Sequence, residues 1–427
     1  MTELDAGDSL PAVPAGGRLR RAGSRTFLSL RHRNFRLFFL GQLVSNTGNW
    51  LTNVALTLLI LHLTNSGLAV GALTAAQFGP ILLLSPWAGA IADRSDKRKL
   101  LFVTQTLEMC QSITLAVLAF MPHPPLGALY VTAAAGGVML AFDNPLRRSF
   151  VTEMVQPEDR PNAVALYSAI VNTSRIFGPA LAGVLVVTVG FGWCFAIDAA
   201  TYIFVLIALG MMRPAELWRV AVPERAKGAV RAAMRYVAKM PHLRISFVTL
   251  AVVGTLGYNL NVELPLLVEH TLHRGDAAFT LLYTVFSVGA LTSALIVAQR
   301  SLVRMKHILV GGASFGTALL LLAAVPNIET AIVVAFAVGV TSILYFTATT
   351  AIVQVEADPS MHGRILGLQS VLLIGTAPIG GPIDGAIADA FGARAPLVVG
   401  GIASLGAAAW GYAAVRRAQK SRQPAAA

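Results

Sequence analysis

The chain has 427 residues, 55% of them hydrophobic and 13% charged, and a mean hydropathy of +0.67. One soluble core of ordinary proportions does not enclose that much apolar side chain, so a lipid bilayer is the expected solvent. The net charge of +12 is not gathered on a soluble face with aromatic partners, which excludes a nucleic-acid binder, and only two cysteines, Cys110 and Cys194, are present, both inside apolar stretches, which leaves no disulfide framework or CxxC metal site.

The first 26 residues, with Pro11, Pro14, Gly16 and Gly17 among small and polar residues, read as a disordered basic tail rather than a cleavable signal; the tail as a whole covers 1–34. Twelve stretches then recur that are long and apolar enough to cross a bilayer as helices. They fall at Phe35 to Leu61, Leu68 to Ala92, Leu100 to Phe120, Leu126 to Phe142, Ala163 to Val189 and Phe191 to Met212 in the first part of the chain. After a connection over 213–244 come Ile245 to Val268, Phe279 to Ala298, Ile308 to Val325, Ile328 to Val355, Ile365 to Ala390 and Pro396 to Val415, followed by a basic tail over 416–427.

Assigning alternate connections to opposite sides puts 30 of the 33 Lys and Arg residues on one side. Only Arg274 and Arg394 fall on the other, and Arg175 lies inside a span. Flanking basic residues are retained in the cytoplasm during insertion, so both termini are expected inside, with an even number of crossings.

Sparse internal matches support a division into halves. A shift of 202 residues superposes Val151, Pro157, Leu166, Ser168, Gly178, Gly183 and Gly190 on Val353, Pro359, Leu368, Ser370, Gly380, Gly385 and Gly392. A shift of 206 lays Arg94, Ser95 and Arg98 over Arg300, Ser301 and Arg304, with Gln299 in place of Asp93. The expected fold is an all-α membrane protein of two pseudo-symmetric six-helix halves, 35–212 and 245–415, joined by a cytoplasmic amphipathic linker. In that linker Arg231, Arg235 and Lys239 recur every four residues opposite Val230, Met234 and Val237, a pattern for a helix on the anionic inner leaflet or for a plain solvated one.

The pentapeptide Gly-Ala-Ile-Ala-Asp occurs at 89–93 and again at 385–389, at the ends of spans two and eleven and hence on opposite faces, so the copies are not expected to be equivalent. Asp389 reads as a helix-end carboxylate facing water. The first copy continues into Arg94, Lys97, Arg98 and Lys99, and in this position it resembles the cytoplasmic signature of the major facilitator superfamily. Phe142-Asp143-Asn144-Pro145, Pro161-Asn162-Ala163, Arg175-Ile176-Phe177-Gly178-Pro179 with Gly183, and Met234-Arg235-Tyr236-Val237 with Pro241, Leu243 and Arg244 are similar to its enterobactin-exporter-like branch of siderophore and drug exporters. Asp96 departs from the superfamily signature, which has Gly there, and the first span carries no carboxylate where some multidrug relatives place a proton-binding acid.

The resemblance implies a transporter of the bacterial cytoplasmic membrane, working as a monomer by alternating access, without cofactor, metal or nucleic acid. It implies that Gly89, Asp93, Arg94, Lys97, Arg98 and Asp143 latch the cytoplasmic side; solvated charges in a positive-inside turn are the plainer alternative. Gly178, Pro179 and Gly183 resemble an antiporter element, or else are small-residue packing. Arg175, near mid-membrane, is costly unless paired or wetted, and Glu108 lies at a depth it reaches. The remaining intramembrane acids, Asp198, Glu263 and Asp384, join Glu108 as candidates for proton coupling, Glu263 first because Tyr258, Asn259 and Asn261 accompany it. Asn46, Asn49 and Asn53 share a helical face and, with Trp50, Gln77 and Phe78, form either a substrate pocket or interhelical hydrogen bonds. The function expected is export of small amphipathic molecules against inward proton flow, with a nutrient importer as the alternative. No P-loop is present in the sequence, and no nucleophile elbow marks an enzyme.

Overall fold

A computed structural model describes residues 27–218, 229–297, 304–358 and 361–420. The expected disorder of the first 26 residues, the match at Gln299 to Ser301, Pro359, and the side chains of Pro86, Ala90, Asp93 and Val230 lie outside the described residues. All the regular structure described is helical. The helices are α1 (Arg33–Thr64), α2 (Gly67–Arg94), α3 (Lys97–Ala119), α4 (Leu126–Val151), α5 (Arg160–Val189), α6 (Phe191–Met211), α7 (Ala229–Lys239), α8 (Pro241–Leu256), α9 (Leu260–Leu266), α10 (Asp276–Val297), α11 (Met305–Ala323), α12 (Ile328–Glu356), α13 (His362–Gly375), α14 (Ala377–Phe391) and α15 (Ala395–Lys420).

Among the described residues, eleven helical stretches are long and apolar enough to cross a membrane, against the twelve expected. The missing one is the first. It forms the 32-residue α1, but Gln42, Asn46, Asn49 and Asn53 dilute its apolar character. Large hydrophobic side chains such as Leu83, Val131, Val187 and Ile402 stand on the outside of the bundle, where lipid rather than protein solvates them.

Two expected spans are interrupted. The seventh unwinds at Gly257 to Asn259, between α8 and α9, and then passes into a π turn at Leu267–Thr271. The eleventh breaks at Thr376, between α13 and α14. At the second break Pro378 lacks the N–H that would bond the Ile374 carbonyl, whereas Pro265 lies within α9, past the first break. The two spans touch beside the breaks: a Cβ on Gly254 would lie 2.9 Å from Thr376 Oγ1.

Helices before residue 212 pack chiefly among themselves, as do those after 241, and the two groups meet along α2 with α14 and α5 with α10. The start of α1, the turn into α5 and the end of α6 share one end of the bundle, tied by Arg31 to Asp159 at 2.7 Å and Asn34 to the Arg213 carbonyl at 2.9 Å. This is termed the near end, and the opposite one the far end. At the far end α5 and α14 stop at Gly190 and Gly392, both with positive φ (85° and 91°), a conformation that glycine adopts without a Cβ clash. The shift of 202 residues relates these two glycines.

In α7 the buried face is Ala233 and Val237, while Met234 is half exposed beside Arg231 and Arg235; the expected apolar stripe is therefore rotated away from Met234. Cys110 is exposed on the outer surface rather than in the core, and Cys194 is buried.

Candidate functional site

The first group of helices holds a buried charged cluster centred on Arg147, a residue that sequence reading passed over. Its guanidinium pairs with Asp143 one turn earlier on α4, reaches Glu108 of α3 at 3.3 Å, and donates to Gln42 Oε1 at 2.7 Å and Asn46 Oδ1 at 3.1 Å on α1. Asp143 also accepts from Thr104 Oγ1 at 3.2 Å and Gln105 Nε2 at 2.9 Å. Arg147, Glu108 and Asp143 are 4%, 2% and 0% exposed, so each charge depends on the others for compensation. Arg147 is accordingly the cation that Glu108 meets, not Arg175.

Deeper in the same group, Asp198 on α6 accepts from Thr52 Oγ1 and Ser112 Oγ, both at 2.7 Å. Asn49, Asn53, Gln77 and Phe78 converge with Glu108 and Asp198 on one cavity. Its volume of about 60 Å³ is room for one or two waters, not for an amphipathic ligand, in this conformation. Asn46 instead bonds within α1 and to Arg147.

Arg175 lies over the Trp50 ring, 5.3 Å from its centroid, and Trp50 in turn faces Tyr283 of α10 at 6.4 Å. This places a cation and two aromatic rings where the groups meet. Gly178 and Gly183 act at the same junction. A Cβ on Gly178 would fall inside contact distance of Trp50, and one on Gly183 would overlap Thr280 of α10. The helix runs through Pro179 without a break, and Gly178 and Gly183 allow close approach on two sides.

The second group holds the other acids. Glu263 on α9 and Asp384 on α14 are both 0% exposed, and both meet Asn259, whose carbonyl accepts from Glu263 N at 3.1 Å. Asn259, in the unwound segment, uses its two Nδ2 hydrogens on the Thr255 carbonyl at 2.8 Å and on Asp384 Oδ2 at 2.7 Å. Both Glu263 oxygens, Asp384 Oδ1 and Asn259 Oδ1 are buried without a hydrogen-bond partner. No cation forms an ion pair with either acid among the described residues. Tyr258 turns away into an aromatic cluster with Phe346 at 4.5 Å and Phe315 at 6.1 Å, and Asn261 is half-buried.

The expected near-end latch is divided. Lys97 pairs with Glu153, Arg98 donates to the carbonyls of Leu209 at 2.7 Å and Gly210 at 3.0 Å, and Arg94 is exposed. Asp143 belongs to the deeper Arg147 cluster, and the Asp93 side chain lies outside the described residues. Gly89 is buried. Among the described residues, the partners of Lys97, Arg98 and Asp143 lie in the first group of helices.

The far end, by contrast, is bridged. Asp389 accepts from Ser66 Oγ at 2.7 Å, Gly67 N at 2.6 Å and Leu68 N at 3.0 Å, which corrects its reading as a carboxylate facing only water. His62 lies 3.0 Å from Asp276, and His270 2.7 Å from Asn65.

Comparison with known proteins agrees with this architecture. The family described as transmembrane secretion effector matches residues 24–426. The staphyloferrin A transporter of Staphylococcus aureus is 26% identical over 61% of this chain and 66% of its own, just under two thirds of that relative's length. The multidrug efflux pump Tap of Mycolicibacterium fortuitum is 24% identical and the enterobactin exporter EntS of Salmonella choleraesuis 25% identical, each over 84% of this chain and 90% of its own. In fold, a bacterial homologue of the human lysosomal transporter Spinster, crystallised inward-facing and occupied, superposes with a TM-score of 0.71 at 16% identity, covering 92% of this chain and 99% of that one.

Proposed function

The chain belongs to the transmembrane secretion effector family of the major facilitator superfamily, multi-pass membrane transporters rather than enzymes, and on that premise we propose that it exports small amphipathic molecules by proton antiport. Two six-helix halves, 35–212 and 245–415, rock about a central path, joined by the amphipathic linker 213–244. The near end is cytoplasmic, in keeping with the 30 basic residues assigned to that side, so both termini lie on the cytoplasmic side of the bacterial inner membrane. Drug-like or siderophore-like substrates are the classes named for the relatives Tap, EntS and the staphyloferrin A transporter.

The observation that carries the coupling is the Glu263 and Asp384 pair, buried beside the unwound Gly257 to Asn259 segment with no cation paired to either acid among the described residues. A carboxylate buried in a dry site without a cation is costly, and taking up a proton removes that cost. Broken helices at mid-membrane are where transporters of other folds bind their coupling ions. Taking up the proton from one side and losing it to the other couples the pair to alternation.

Everted vesicles test the reading. An acidic lumen should drive accumulation of ethidium or of enterobactin, and dissipating the gradient should abolish it. Accumulation driven only by an alkaline lumen would favour proton symport in the import direction.

A further inference from the structure

The two copies of Gly-Ala-Ile-Ala-Asp belong to a longer correspondence. A shift of 296 residues superposes Gly67, Gly71, Gly79, Pro86 and 89–93 on Gly363, Gly367, Gly375, Pro382 and 385–389, nine identities in 27 positions. The whole of α2 thus repeats in α13 and α14, the helices it packs against.

They pack antiparallel. A Cβ on Gly67 would lie 2.8 Å from the Gly385 carbonyl, and Gly71 abuts the Gly381 carbonyl in the same way. Exchanging the partners by the shift of 296 turns these two far-end pairs into Gly363 with Gly89 and Gly367 with Ser85, both at the near end. In this structure the near-end seats are empty: a Cβ on Gly363 or Gly367 would meet nothing within 4 Å. Among the described residues the far-end seats are engaged, whereas those at Gly363 and Gly367 are not.

We propose that Asp389 is a positioning residue for transport, which holds the far end shut by capping the N-terminus of α2. Its charge meets two free backbone N–H groups and the positive end of the helix, and Ser66 Oγ adds a third bond. The shift of 296 pairs Gly89 with Gly363 and Ser85 with Gly367 at the near end, where the resemblance already implies a latch. The two Gly-Ala-Ile-Ala-Asp copies then close opposite ends in turn, and one helix pair sets which end is open. This rests on the alternating-access reading but not on proton coupling or on any substrate.

The test measures conformation directly. In a Cys110→Ser, Cys194→Ser background, spin labels at Leu63→Cys and Phe391→Cys report the far-end separation of full-length protein in nanodiscs. Asp389→Asn should shift the population toward the longer, far-end-open distance by about tenfold. Gly67→Ala should do the same without altering charge, whereas Gly363→Ala should keep or strengthen the far-end-closed population. Distance distributions unchanged by both Asp389→Asn and Gly67→Ala, in samples of wild-type thermal stability, would overturn the proposal. If those variants shift the distances while vesicle transport shows no dependence on pH, the latch stands and the proton coupling falls.

Discussion

Arg147 of α4 reaches Glu108 of α3 at 3.3 Å in the interior of the first helix group, with Asp143 paired to the same guanidinium. Removing the cation leaves two buried acids facing each other. Arg147→Ala should lower the unfolding free energy by about 3–5 kcal/mol, measured by thermal or denaturant unfolding in detergent. Adding Glu108→Gln and Asp143→Asn to that variant should recover much of the loss, because the uncompensated charges go with the arginine.

Glu263→Gln keeps the volume of the side chain and removes its titratable oxygen. Proton-driven accumulation should fall by about tenfold or more, while exchange of labelled for unlabelled substrate, which needs no net proton movement, should persist. Asp384→Asn should behave alike. Full proton-driven transport in both variants would remove this pair from the coupling.

At Gly178, an added methyl would press on Trp50 where α5 crosses α1. Gly178→Ala should therefore cost about 1–3 kcal/mol in unfolding experiments. Gly363→Ala should cost little in the present conformation, since its seat is open.

The apolar stretches were legible because a bilayer demands about 20 apolar residues per crossing, and Glu263 and Asp384 stood out because a carboxyl inside such a stretch is expensive. Helix ends were less so. The fourth span seems to stop at Phe142 when charges are read as loop, yet α4 continues to Val151 because Asp143 neutralises Arg147 one turn later. The partners were not legible at all. Arg175 settles on an aromatic ring rather than on Glu108, and the N-terminus that Asp389 caps lies 322 residues earlier in the chain. The first helix escapes a hydropathy measure for the same reason that it matters: its amides face Arg147 and the small polar cavity instead of lipid.

Proton movement itself is the most direct test of the account. Protein reconstituted in liposomes containing a pH-sensitive dye, with vesicles of both orientations distinguished by thiol blocking, should move protons against the direction of an imposed ethidium or enterobactin gradient, and Glu263→Gln protein should not. Substrate flux with no accompanying proton movement, or with protons travelling in the same direction, would contradict it.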